Sequence, residues 1–163
     1  MRKVNEIFIN GICLEKILKD HEKWLIDSRE GKRLELKNVD LSYVNLRGAN
    51  LRGADLRFAD LSSANLWDVN LIGVNLIGAD LRNTDLSDAD LSDSDLSNSD
   101  LRGAVLRGTN LIGANLRGVD LRFADLIGAN LKDTNLKDAD LSYANLRFTN
   151  LRSVNLEGVD LEV

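Results

Sequence analysis

The chain has 163 residues, 44% of them apolar, with no proline, one cysteine and a formal net charge of −5. That length suits one domain with a buried core, and the apolar fraction excludes a disordered chain. A single cysteine excludes a disulfide framework and a cysteine-rich zinc site, and no apolar run is long enough for a membrane-spanning helix. The first residues lack the long apolar core of a signal peptide, so the chain reads as a cytoplasmic protein.

Residues 1–33 form the first predicted unit. Val4 to Ile9 read as a short strand, with Asn10-Gly11 as its turn. From Cys13 to about Asp27 the spacing is helical: Leu14, Ile17, Leu18, His21 and Leu25 fall on one face, with Trp24 beside them. Lys16, Lys19, Glu22 and Lys23 take the outer side, and Gly31 ends the segment. The mixed charges argue against an amphipathic membrane helix. The apolar face of this segment is expected to close one end of the domain formed by residues 34–163.

Residues 34–163 repeat with a period of five. Leucine stands at every fifth position from Leu36 to Leu161. Two residues before each, from Val39 onward, lies Ala, Val, Thr or Ser. The residue just before each, from Asp40 to Asp160, is Asp or Asn except at Val105. A straight strand would send leucines five apart to opposite faces. An α-helix would advance them by about 500° each time, scattering them round the surface. A chain that bends once per repeat gathers them inside, and the Gly, Asn, Asp and Ser around the leucines suit repeated turning. Every coil then needs its amides for the next, in keeping with the absence of proline. Sorted by twenty, one pre-leucine column is all Asp: Asp40, Asp60, Asp80, Asp100, Asp120, Asp140 and Asp160. This points to four sides per coil and predicts a continuous acidic stripe. Asn110, Asn130 and Asn150 are expected to form an amide ladder.

The units Ala49-Asn50-Leu51-Arg52-Gly53 and Ala54-Asp55-Leu56-Arg57 resemble those of the pentapeptide-repeat family. The resemblance covers residues 34–163. It implies an all-β solenoid, a right-handed quadrilateral β-helix, with leucine and the small residue pointing in and residues 1–33 as an N-terminal helical cap. Unlike many members, this chain never places Phe at the central position, so a uniform cross-section is expected. The resemblance also implies a non-enzymatic interaction scaffold. The alternative is a DNA mimic that binds DNA gyrase or topoisomerase IV, as some members do. The large loops of some gyrase-protecting members have no counterpart in this uninterrupted repeat.

Nothing in the residues points to catalysis. His21 is the only histidine and lies on the packing face, so a satisfied structural role is expected; Cys13 is expected to be a buried, inert thiol. No serine has a triad available beyond His21, and no glycine pattern matches a nucleotide-binding loop. No cofactor or metal is expected. Asp85, Asp88, Asp90, Asp93, Asp95 and Asp100 crowd one coil without an intervening base. On a convex rod they diverge, so they read as a solvated acidic girdle or as a docking surface for a basic partner, rather than as a calcium site. From residue 34 onward there are 20 acids against 13 bases, which disfavours direct nucleic-acid binding. Trp67, Ile72 and Ile77 occupy the outward position after leucine on three successive sides and are candidate contacts with a protein partner. Phe123 and Tyr143 share a column with Val163, and Phe148 lies one side away; together they suggest a homodimer through the C-terminal coil. The alternatives are a monomer with a polar-rimmed end or a shortened chain.

Overall fold

In the computed structural model each five-residue unit is one side of a coil and one turn, and residues 1–162 are described. Val163 lies outside the described residues. The turn begins at leucine. The amide three residues on donates back to the leucine carbonyl, as Ala54 does to Leu51 at 3.0 Å. The second residue after leucine takes a left-handed conformation at every corner from Asn38 to Gly158. A turn closed this way requires positive φ at its third residue. That requirement explains the glycines at this position.

Parallel bridges join residues twenty apart, from Glu35↔Asp55 through to Asp140↔Asp160. Four corners therefore complete each coil. Around Leu91 the amide of Leu91 donates to Asn110, that of Asp93 to Ile112 and that of Asp90 to Val69. The turn amide of Ser94 goes to Leu91. One amide per unit, that of the first residue after leucine, meets no carbonyl, and it is satisfied by the Asp or Asn side chain two residues before it. Ser92 donates to Asp90 Oδ1 at 3.0 Å, and the same bond recurs after every pre-leucine residue from Asp40 to Asn155 except Val105. The Asp/Asn rule of the sequence is thus an accounting necessity: a backbone donor must be paired.

The leucines from Leu36 to Leu141 fill the interior at 4% exposure or less, and the small residues pack between them. Full burial of each such leucine stabilises by about 1.5–3 kcal/mol. Where the small residue is threonine, its hydroxyl is satisfied across the core: Thr84, Thr109 and Thr134 donate to the carbonyls of Leu61, Leu86 and Leu111. The final coil lacks a neighbour, and Leu151, Leu156 and Leu161 are 39%, 46% and 55% exposed.

At the other end, β1 (Phe8–Ile9) pairs antiparallel with β2 (Ile12–Cys13) through Asn10 and Gly11, both at positive φ. Of the expected strand over Val4 to Ile9 only Phe8 and Ile9 are extended in a sheet, because Val4–Glu6 forms a 3-10 turn. The amide of Lys3 donates to the Glu6 carboxylate, which favours that tight turn. Helix α1 (Leu14–Ile26) follows, with Leu14 and His21 buried. Ile7 and Leu14 join the leucine core, with Ile17 and Leu18 packed against it. Arg2 forms one parallel bridge with Val44 on a side of the first coil, and its guanidinium pairs with Asp40.

Candidate interaction surface

The aspartate column runs the length of the rod, but the acidic stripe expected from it is broken by arginine. Arg82, Arg102 and Arg122 follow Asp80, Asp100 and Asp120 by two residues, and each folds its guanidinium back onto that carboxylate. Each also reaches the next coil: Arg82 to Asp100 at 3.8 Å, Arg102 to Asp120 at 3.6 Å and Arg122 to Asp140 at 3.4 Å. The middle of the column is therefore an alternating charge ladder. The neighbouring guanidinium holds the Asp80 and Asp120 carboxyls below the usual carboxylate range, against the opposing effect of burial.

The crowded acids of residues 85–100 do not converge. Asp85, Asp90 and Asp95 spend an oxygen on the amides of Ser87, Ser92 and Ser97, each at 3.0 Å. Asp100 belongs to the arginine ladder. Asp88 and Asp93 sit at left-handed corners on different sides and overhang Gly108 and Gly113 of the next coil. Among the described residues no group of three or more His, Cys, Asp or Glu is placed to hold a metal ion. The asparagine ladder forms in part: Asn150 donates to Asn130, whereas Asn110 donates to Asp90.

Trp67, Ile72 and Ile77 are half-buried and lie on three sides of one coil, so they present no single patch. The Arg47 guanidinium stacks over the Trp67 ring, 3.8 Å from its centroid. The aromatic residues at the corners behave otherwise. Tyr43, Phe58, Phe123, Tyr143 and Phe148 all adopt positive φ and are 52–80% exposed. A left-handed conformation costs such residues roughly 1–2 kcal/mol, which glycine avoids. Phe58 lies over Gly78, and Phe123 stacks on Tyr143 with centroids 5.2 Å apart. Phe148, 80% exposed, has the Arg147 guanidinium 5.4 Å from its ring centroid. Sequence reasoning grouped three of these aromatics but missed Tyr43, Phe58 and the strain common to all five. The signal was available, because glycine concentrates at the same position in the repeat.

Two groups near the N-terminus differ from expectation. Cys13 is half-buried rather than buried, and its thiol donates to the Val4 carbonyl at 3.7 Å. His21 is satisfied at one nitrogen only: Nδ1 accepts the Leu34 amide at 3.1 Å, while Nε2 has no partner. Asp55 is 6% exposed and held between Lys37 and Arg57. The Arg57 guanidinium drives its carboxyl far below the usual range, so this ion cluster stabilises the fold above about pH 4 and is lost as acid protonates it. No helix among the described residues is long and apolar enough to cross a membrane.

Comparison with protein families identifies the repeat. Pentapeptide repeats, in eight copies, match residues 35–68, 68–103, 84–122, 99–138 and 129–162. Among solved structures, a pentapeptide repeat protein from the Arabidopsis thaliana thylakoid lumen is 30% identical over 64% of this chain and 70% of its own, with a TM-score of 0.46. HetL, a pentapeptide repeat protein involved in heterocyst differentiation regulation in Nostoc sp. strain PCC 7120, is 27% identical over 78% of each chain, with a TM-score of 0.41. QnrB1, a plasmid-mediated fluoroquinolone resistance protein, is 16% identical over 80% of this chain and 92% of its own, with a TM-score of 0.47. No curated protein matches the chain. With its coils stacked at twenty-residue intervals and the family's repeat matched from residue 35 to 162, this chain belongs to the pentapeptide-repeat family.

Proposed function

We propose that the protein is a non-enzymatic scaffold, a right-handed solenoid capped by residues 1–33, whose corners grip a protein partner. The observation that carries this reading is the set of exposed aromatic residues at left-handed corners. Strain held at a surface with little packing in return fits residues kept for contact. Phe123, Tyr143 and Phe148 are the strongest contacts, with Trp67, Ile72, Ile77 and the acids Asp85, Asp88, Asp90, Asp93, Asp95 and Asp100 as flanking candidates. Replacing Phe123 and Phe148 by glycine is expected to leave the thermal midpoint unchanged or raised while abolishing capture of the partner bound by the unmodified protein. Equal capture by both proteins would reject the assignment.

A second reading, the DNA mimic directed at a type II topoisomerase, is favoured by the aspartate column and opposed by the arginines between Asp80 and Asp140. It requires that replacing Asp80, Asp100 and Asp120 by Asn weaken inhibition of purified gyrase supercoiling. Supercoiling untouched by a large excess of the unmodified protein would retire it.

The apolar end at Leu151, Leu156 and Leu161 is proposed to be covered by a second copy, end to end. Its backbone edge carries both donors and acceptors, including the Leu156 amide and the Val154 carbonyl, so two copies complement each other. Sedimentation is expected to show a dimer, with monomers after Leu151→Lys and Leu156→Lys together. A monomer at all concentrations would refute it.

A further inference from the structure

His21 occupies the place that a preceding coil would fill. Leu34 stands two residues before Leu36, a position whose amide in the rod closes the turn on the leucine carbonyl three residues back, as Ala54 does on Leu51. Leu34 makes no such turn bond among the described residues and donates instead to His21 Nδ1 at 3.1 Å. Two residues past Asn50, the Arg52 carbonyl receives no backbone amide among the described residues, whereas the equivalent carbonyl of Arg57 receives that of Asn38. The fully buried imidazole thus lies between the helix and the edge of the first coil, with Trp24 stacked on it at 5.5 Å.

An imidazole that accepts at Nδ1 must be neutral, with its proton on Nε2. Protonation would place an N–H at Nδ1, facing the Leu34 N–H, and would put a charge in a fully buried site. Both effects oppose the docked helix. We propose that His21 is a proton-operated latch: neutral, it locks α1 onto the first coil; protonated, it releases residues 1–33 and uncovers the first coil's edge.

The surrounding charges do not cancel this. Arg33, beside Leu34, disfavours a charged ring, and Glu22 on the helix itself favours one. The Arg52 carbonyl also favours the charged ring, but burial outweighs both and lowers the imidazole pKa from its ordinary value. A docked pKa below the released value of about 6.5 means that docking is complete at neutral pH and weakens as pH falls below that value. Asp27, Asp40, Asp55, Asp80, Asp120 and Glu157 have lowered pKa values and stay ionised through this window.

The test is amide exchange of the full chain between pH 7.5 and pH 5, corrected for intrinsic rates. With a docked ring that stays neutral, the released population at Leu34 and α1 is expected to rise about thirtyfold, while Leu91 in the rod holds its protection. His21→Asn places an oxygen at the Nδ1 position and does not titrate, so its protection is expected to be independent of pH. An equal acid response in His21→Asn overturns the latch. Should that variant fail to fold, the ring itself decides, since the single histidine gives one Cε1–H resonance. Titration at or above pH 6.5 with Leu34 still protected would overturn the proposal; a midpoint below 6.5 accompanied by loss of Leu34 protection upholds it.

Discussion

Leu91→Asp is expected to lower the thermal midpoint by about 10–15 °C, whereas Ser92→Asp, one residue away, shifts it by less than about 2 °C. Leu91 is fully buried, and the leucines at 71 and 111 lie one coil away on either side. A carboxylate there has no partner and no route to water, a loss of several kcal/mol after it protonates or distorts the coil. Ser92 faces outward; its amide donates to the Asp90 side chain and its carbonyl accepts the Gly73 amide, backbone bonds that Ser92→Asp preserves. Differential scanning calorimetry of both variants checks the pair. Small and equal shifts would mean that the leucines do not form the interior.

Gly31→Ala is expected to free the N-terminal segment while leaving the rod folded. A Cβ at Gly31 would lie 2.1 Å from the Asp20 carbonyl oxygen and 2.8 Å from both Lys23 Cβ and the Trp24 nitrogen. Two of these atoms are helix backbone, which cannot swing aside, and the φ of +78° adds strain of its own. The Asp20 carbonyl also accepts the Lys32 amide, so moving it breaks the link between helix and first coil. We expect about 3–4 kcal/mol of local destabilisation from strain and overpacking together. Gly48→Ala is the control, with a similar φ of +67° but open space around the new methyl, and should lose only about 1 kcal/mol. Amide exchange across α1 separates the two. Equal protection in both variants would show that the close approach at Gly31 does not govern docking.

Much of this fold is legible in the sequence because its rules are local and repeated. Leucine, the small residue and Asp or Asn each answer one requirement of every unit: fill the core, pack between leucines, pair the orphan amide. The period of twenty was readable from the aspartate column because like residues stack on like. The left-handed corner was harder to see, because Phe123, Tyr143 and Phe148 stand where glycine would mark it. The arginine ladder was hidden for another reason. That Arg102 lies on the aspartate side can be had by counting, but that its guanidinium folds onto Asp100 depends on how the side chain turns. The N-terminal misreading came from Ile7, Phe8 and Ile9, whose strand character was extended back over a tight turn fixed by Glu6.

The twenty-residue interval between bridged residues gives the rod two nested phases. The core obeys a phase of five, since any unit presents a leucine inward. The surface obeys a phase of twenty, since only whole coils return Arg102 above Arg82 or set Tyr143 against Phe123. Removal of five residues between Phe123 and Asp140 would leave the interior filled yet turn every later side chain onto the next side relative to those before it, breaking the Arg122–Asp140 rung and the aromatic stack without exposing one more leucine. Removal of twenty would shorten the rod and keep its faces. What a side chain at the surface meets is therefore set by counting along the chain, and a rod of this kind can change its outer pattern wholesale while its interior stays the same.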